Sequence, residues 1–158
     1  MTETLKHVRV SIGLAEILKA NVLIVDDLES SILLLERLLR GAGYESIEST
    51  TNPREVCALH KKNNYAIILL DLKMPEMDGF QVMEGLLELE PSGELPVLVV
   101  TTEPGHKLRA LHAGARDFVS KPLDLPEVLI RVHNIIEVRL LRREALRLYD
   151  ELDRAQAS

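Results

Sequence analysis

Ala66-Ile67-Ile68-Leu69-Leu70-Asp71 carries five apolar residues straight into a carboxylate. A strand with one wet face alternates polar and apolar side chains; an unbroken apolar run that stops at a polar residue suits a parallel strand covered by helices on both faces. Outward from it the pattern repeats. Asn21 to Val25 ends on Asp26 and Asp27, Val97 to Val100 ends on Thr101 and Thr102, and a brief run from Asp117 to Val119 leads to Lys121 just before Pro122. A further strand is expected from Tyr44 to Glu48. Amphipathic stretches at Glu29 to Leu39, Pro53 to Lys61, Gly79 to Leu89 and Lys107 to Ala113 fill the gaps as helices. Gly41 and Gly43 close the first of these, Pro53 suits a first helical turn, and Pro96 opens a strand. Strands alternating with helices predict an α/β fold: a five-stranded parallel sheet, doubly wound, with right-handed crossovers.

The length of 158 residues accommodates one such unit and an appendage. With 46% hydrophobic and 28% charged residues the chain has material for a core and too little charge for disorder. A net charge of −6 gives a field of the wrong sign for gripping nucleic acid or an anionic membrane. Apolar runs of about five residues fall far short of the roughly 20 needed to span a bilayer. The N-terminus, with Glu3, Lys6, His7 and Arg9, has no secretion signal, and the single cysteine, Cys57, reads as a small core side chain; both point to the cytoplasm. His60 follows Cys57 by a turn, but two ligands without a third make no metal site.

The carboxyl ends of parallel strands share one edge, where open α/β sheets bind their ligands. Asp26, Asp27, Asp71, Thr101 and Lys121 are therefore expected to converge there. Three carboxylates within about 4 to 6 Å repel one another and call for a cation. An all-oxygen set in an open site suits Mg²⁺, beside which an Asp can attack a phosphoryl group, with Lys121 and the Thr101 hydroxyl holding its oxygens. A dinucleotide enzyme would need a glycine-rich turn after the first strand, and Asp26-Asp27-Leu28-Glu29 stands there instead. A haloacid-dehalogenase-type phosphatase would need a second acid two residues after Asp71, where this chain has Lys73.

Val22-Leu23-Ile24-Val25-Asp26-Asp27, Ile67-Ile68-Leu69-Leu70-Asp71-Leu72-Lys73-Met74-Pro75-Glu76-Met77-Asp78-Gly79, Val99-Val100-Thr101-Thr102 and Asp117-Phe118-Val119-Ser120-Lys121-Pro122 together resemble the receiver domain of bacterial two-component response regulators. The resemblance covers roughly residues 20 to 136. It implies a flavodoxin-like sheet in the order 2-1-3-4-5. It also implies transfer of a phosphoryl group from a sensor histidine kinase, or a phosphotransfer protein, onto Asp71. By the same resemblance Asp26, Asp27, Asp71 and the backbone carbonyl of Lys73 hold Mg²⁺, Thr101 and Lys121 bind the phosphoryl group, and Thr101 with Phe118 forms the switch. Phe118 stands where relatives often have tyrosine. A receiver of this kind would catalyse its own phosphorylation and dephosphorylation, with no separate enzymatic domain read in this chain.

The remainder divides into residues 1–20, an N-terminal extension, and residues 137–158, a helical linker after the receiver at 21–136. In the extension Val8, Val10, Ile12 and Leu14 alternate like a strand, while Leu5, Val8, Ile12 and Ala15 are spaced like a helix face. After Pro126 there is no further Pro or Gly, which predicts one long helix. Its Arg139, Arg142, Arg143 and Arg147, interleaved with Glu137 and Glu144, are expected on a solvated face. Val138, Leu141, Ala145, Leu148, Leu152 and Ala155 fall at alternating spacings of three and four, the seam of a coiled coil and of a homodimer. The stretch from His133 to Arg143 resembles linkers leading to HD-GYP phosphodiesterases, so the expectation is a piece of a larger regulator whose output domain lies elsewhere. The alternative is a stand-alone receiver that acts by docking to a partner.

Overall fold

The computed structural model describes residues 11–74, 78–90 and 92–157. Pro75, Glu76 and Met77 of the quoted motif, and the extension up to Val10, lie outside the described residues. Strands β1 (Asn21–Val25), β2 (Ser46–Thr50), β3 (Ile67–Asp71), β4 (Val97–Thr101) and β5 (Asp117–Ser120) form one sheet in the order β2-β1-β3-β4-β5. All four pairings are parallel. Helices α1 (Leu14–Lys19), α2 (Glu29–Gly41), α3 (Val56–Asn63), α4 (Gly79–Leu89), α5 (Lys107–His112) and α6 (Leu125–Ala157) surround it.

The continuous apolar runs are explained by a core on each side of the sheet. Leu23, Val25, Ile68, Leu70, Val97 and Val99 pack with Val56, Val82, Met83 and Leu86 from α3 and α4. Their neighbours Val22, Ile24, Ile67, Leu69, Leu98 and Val100 point the other way, onto Ile32, Leu35 and Leu39 of α2 and Val128, Val132 and Ile136 of α6. Successive strand residues face opposite sides, so a strand buried on both faces has no position for a polar residue until its end. Ile17 of α1, only 1% exposed, joins the second core beside Ile135 and Ile136. From Leu14 onward the helical spacing of the extension prevails over the alternating one.

Two elements differ from the sequence expectation. Strand β2 begins at Ser46, two residues later than expected, because Gly43 at φ +102° ends α2 and the Tyr44 amide then donates back to the Leu39 carbonyl at 3.1 Å. Tyr44 is consumed in closing the helix and buries its ring, 5% exposed, so pairing starts with Asn21 opposite Ser46. The stretch from Pro53 opens as a 3₁₀ turn, Pro53–Glu55, capped by Asn52 Oδ1 accepting from the Arg54 amide at 3.0 Å, before α3 proper.

The long helix is continuous over 33 residues, but its basic residues are not all solvated. Arg139 donates to both carboxylate oxygens of Glu90 at 2.7 and 3.2 Å and to Asn64 Oδ1 at 2.9 Å. Arg143 donates to the Asn64 carbonyl at 2.9 Å, and Arg142 pairs with Glu94. Behind Glu90 stands buried His60, with Nε2 at 2.8 Å from Glu90 Oε1 and Nδ1 accepting from the Tyr65 amide at 3.2 Å. The i, i+3 and i, i+4 spacing that reads as a solvated face instead docks α6 on the α3 and α4 ends. Arg147, paired with Glu144 and Glu151 on its own helix, follows the expectation, and Arg142 stays exposed while it pairs with Glu94.

Helix α4 is seated by close approach. Asp78 and Gln81 form a capping box at its start, and the Gly79 amide donates to the Leu72 carbonyl at 3.0 Å. A Cβ at Gly79 would stand 2.8 Å from Leu72 Cα and 3.0 Å from the Asp71 carbonyl oxygen, both backbone atoms. Gly79→Ala is therefore expected to lower unfolding stability by about 1–3 kcal/mol, as overpacking does, read as a lower urea midpoint. A midpoint equal to the native one would refute this close approach.

Candidate functional site

The expected edge residues do meet. β1 ends just before Asp26, β3 ends on Asp71 and β4 on Thr101, so the sheet register itself brings these side chains to one edge. Asp26, Asp27 and Asp71 each offer a carboxylate oxygen within 4.8 Å of the others. At an effective dielectric of 20 that separation corresponds to a repulsion of roughly 3–4 kcal/mol per charged pair. Lys121, from the turn after β5, places Nζ 3.1 Å from Asp26 Oδ2 and 3.7 Å from Asp71 Oδ2. Its peptide bond to Pro122 is cis.

The carboxylates are not equivalent. Asp26, 2% exposed, is engaged at both oxygens: Oδ1 accepts from the Leu28 amide at 3.0 Å and Oδ2 from Lys121. Asp71, 7% exposed, accepts from the Lys73 amide at Oδ1, 3.2 Å, while its Oδ2 lies beyond hydrogen-bond length from Lys121. Burial pushes the Asp71 carboxyl above its usual value, and Asp26 and Asp27 push the same way; the Lys73 amide and Lys121 pull against them. Asp27 is half-buried and raised as well, first by desolvation and then by its hydrogen bond and repulsion with Asp26. Asp71 thus keeps one oxygen with uncommitted lone pairs and a carboxylate more basic than ordinary.

Thr101 is fully buried and its Oγ1 accepts from the Glu103 amide at 3.3 Å, which leaves its O–H to donate. Phe118, 7% exposed, lies in the core cluster that also holds Phe80 and Ala110, on the far side of β5 from α6. Lys73 reaches the acid cluster through its backbone N–H. The Lys73 side chain turns to Glu103, which also meets His106 Nε2 at 3.0 Å. These two loops are thereby bridged across the rim, and the cationic partner holds the Glu103 carboxyl below its usual value. Glu103 and His106 escape the sequence reading because an acid and a histidine in a post-strand loop have no characteristic spacing. The one available signal is the Lys73 cation two residues after Asp71, which needs a counterion. Farther along the same rim, the Arg109 guanidinium lies 3.7 Å from the Phe80 ring centroid.

A basic residue clamped over an acidic triplet at the carboxyl edge of a sheet ordered 2-1-3-4-5 defines the receiver class of signalling domains. The family model of the response regulator receiver domain matches residues 22–133, and the chain belongs to that family. It is 33% identical to the response regulator PleD of Caulobacter vibrioides over 143 residues, covering 89% of this chain and 30% of that protein. Among solved structures, a putative response regulator from Chloroflexus aurantiacus superimposes with a TM-score of 0.69 at 30% identity, covering 75% of this chain and 98% of that one. The receiver domain of the sensor histidine kinase PA1611 of Pseudomonas aeruginosa, solved with a magnesium ion in its active-site cleft, gives 0.67 at 22% identity over 75% of this chain and 98% of its own. The chain thus spans about a third of the length of PleD.

The raised Asp71 carboxyl makes a signed prediction. Stability contributed by its protonated form is fully present below the unfolded value of 3.8 and is lost as pH rises through the higher folded value. A neutral isostere does not incur that loss. In EDTA at pH 7 to 8, Asp71→Asn should melt higher than the native chain, by about 2–4 °C for each kcal/mol relieved. The gap should close as pH falls towards 3.8. A variant that melts lower at neutral pH would contradict the repulsion.

Proposed function

We propose that the chain accepts a phosphoryl group on Asp71 from the phosphohistidine of a sensor kinase or phosphotransfer protein, and passes the change to an output through α6. The observation that carries this reading is the inequality within the acid cluster: Asp26 is bound at both oxygens, and Asp71 Oδ2 is not. In the transfer, Asp71 Oδ2 forms a bond to phosphorus, the bond from phosphorus to the donor nitrogen breaks, and the imidazole leaves with that electron pair. An acyl phosphate results. Lys121, already between Asp26 and Asp71, offers its ammonium to a phosphoryl oxygen, and the buried Thr101 hydroxyl donates to another. A shift of Thr101 towards that oxygen alters the space around Phe118, whose partner in the register is Val99 on the same strand.

The donor set fits Mg²⁺: three oxygen-only ligands close together, in an arrangement whose mutual repulsion a divalent cation relieves. Asp26, Asp27 and Asp71, with the Lys73 carbonyl, would hold it, and when bound it supplies charge neutralisation for the incoming phosphoryl oxygens. The magnesium-bearing cleft of the PA1611 receiver supports this reading by analogy of fold. No described helix is long and apolar enough to cross a membrane, which accords with a cytoplasmic site of action.

Incubation with acetyl phosphate and Mg²⁺ should add one phosphoryl mass increment. Asp71→Asn should reduce the labelled fraction at least about a hundredfold, because an amide is no nucleophile, and EDTA should suppress labelling of the native chain. Full labelling of the Asn variant would place the acceptor elsewhere.

For the output, we read the distal half of α6 as a dimer seam and the route to an effector such as an HD-GYP phosphodiesterase. Support comes from the length of α6 and from Leu141, Ala145, Leu148 and Leu152, which stay partly exposed in the single chain at heptad spacing. Val138 faces the receiver body beside Arg139, so the usable seam starts a turn later than the spacing alone suggests. PleD, of which this chain matches 30%, supports a place for such a receiver within a longer regulator. Sedimentation at about 100 μM should give a dimer, shifted towards monomer by Leu148→Glu with Leu152→Glu. A native chain that sediments as a monomer there would eliminate the seam.

A further inference from the structure

The opposite edge of the sheet holds a second concave site that phosphoryl acceptance does not use. A cavity of about 370 Å³ opens where β4 begins, between the ends of α3 and α4 and the flank of α6. Its apolar lining comes from Leu95, Pro96, Ile135, Val138 and Leu146. Around that floor stand the guanidinium groups of Arg116, Arg139, Arg142 and Arg143, against the carboxylates of Glu90 and Glu94 alone. Four cations facing two anions leave a local charge of +2 in a chain whose net charge is −6. The volume is that of a small-molecule pocket, and an apolar body with a few convergent charges is how such pockets are built.

The charges are unevenly compensated. Glu90 is taken by Arg139 and His60, and Glu94 by Arg142 and Arg116, the latter at 3.7 Å. Among the described residues no carboxylate is paired with Arg143; its hydrogen bond goes to the neutral carbonyl of Asn64. Burial, and then the charge of Arg139 one turn away, hold the Arg143 guanidinium below its usual value, and the charge of Glu90 offsets them only in part. A half-buried guanidinium beside another, with a carbonyl as its partner, is a site that an oxyanion completes: the guanidinium fork matches phosphate and carboxylate in two parallel hydrogen bonds.

We propose that this cavity binds a small organic anion, a phosphate or carboxylate head on an apolar body, with the head on Arg143 and the body over Leu95, Val138 and Leu146. Such a ligand bridges the start of β4 to α6, and so strengthens the docking of α6 independently of Asp71. The site lies at the amino end of the strands, so it is separate from the phosphoryl-accepting edge and does not depend on that reading.

The test uses the full chain in EDTA and four probes: 2-naphthyl phosphate, 2-naphthoate, 2-naphthol as the body without charge, and inorganic phosphate as the head without a body. Titrations are followed by calorimetry and by amide NMR shifts. At least one of the two naphthyl anions should bind about tenfold more tightly than both 2-naphthol and inorganic phosphate, the tighter one naming the head group. Shifts should centre on Asn64, Glu94 and Leu95, leaving Asp26 and Asp71 unmoved. Arg143→Gln should weaken binding about tenfold, Arg143→Lys should weaken it less, and Arg147→Gln, on the solvated face, should change nothing. An unchanged amide spectrum elsewhere in Arg143→Gln shows that α6 is still docked. Equal binding of 2-naphthol would remove the anion from the proposal, equal binding of inorganic phosphate would remove the apolar body, and shifts at Asp26 and Asp71 or no binding at millimolar concentration would overturn it outright.

Discussion

The mutual repulsion of Asp26, Asp27 and Asp71 is the constraint around which the rest of the molecule is arranged. Three carboxylates held within 4.8 Å are unfavourable on their own, and each must be held there by something stronger than its own tendency to turn towards water. The backbone does this. Asp71 is the last residue of a fully buried strand and Asp26 directly follows its neighbour β1, so neither residue's backbone can leave the edge without unpairing the centre of the sheet. Lys121 compensates part of the charge from a third segment of the chain, and the amides of Leu28 and Lys73 each satisfy one oxygen. What remains uncompensated is the chemistry: a basic, incompletely bonded oxygen on Asp71 and a place for a cation.

The two-sided core is the means of holding that strained edge. Strands covered on both faces bury every side chain up to the polar terminus, and the free energy of that burial, roughly 25 cal/mol for each Å² of apolar surface, offsets the electrostatic cost at the tips. The same burial makes the sheet a stiff connection between its two edges. One edge carries the acid cluster; at the other, Glu90, His60 and Asn64 hold Arg139 and Arg143 of α6. Helix α6 belongs to both, since Val128, Val132 and Ile136 pack beneath the sheet before the arginines clamp its flank. Val119 of β5 shares that core with Val128, Val132 and Ile136, so the packing of β5 and the seating of α6 are physically continuous.

Much of this was legible in the linear chain. Apolar runs of four or five residues ending at Asp26, Asp71 and Thr101 and set off from amphipathic stretches by Gly, Pro, Asn and Asp fit buried parallel strands with polar tips, because they are too short for helices of ordinary length. From that pattern follow the doubly wound sheet and the edge on which the acids gather; membership in the receiver family rests on the motifs around Asp26, Asp71, Thr101 and Lys121, and the family match over residues 22–133 confirms it. Strand β2 was less legible, since its half-exposed residues lack a strong period and its start depends on how Gly43 and Tyr44 close the preceding helix.

Tertiary structure alone decided the inequalities. Residue order puts three aspartates at one edge but does not say that both oxygens of Asp26 are bound while one of Asp71 is left over; that depends on the Å-scale position of Lys121, 95 residues from Asp26. Nor does the helical spacing of Arg139, Arg142 and Arg143 distinguish water from a docked surface. Both give the same period along the helix, and only the partners at Asn64, Glu90 and Glu94, distant in sequence, separate them. Local periodicity records which side chains must be hidden from water, because burial is a property of each residue's own surface. The pairing of charges is a property of two residues at once, and it exists only when the fold has set the distance between them.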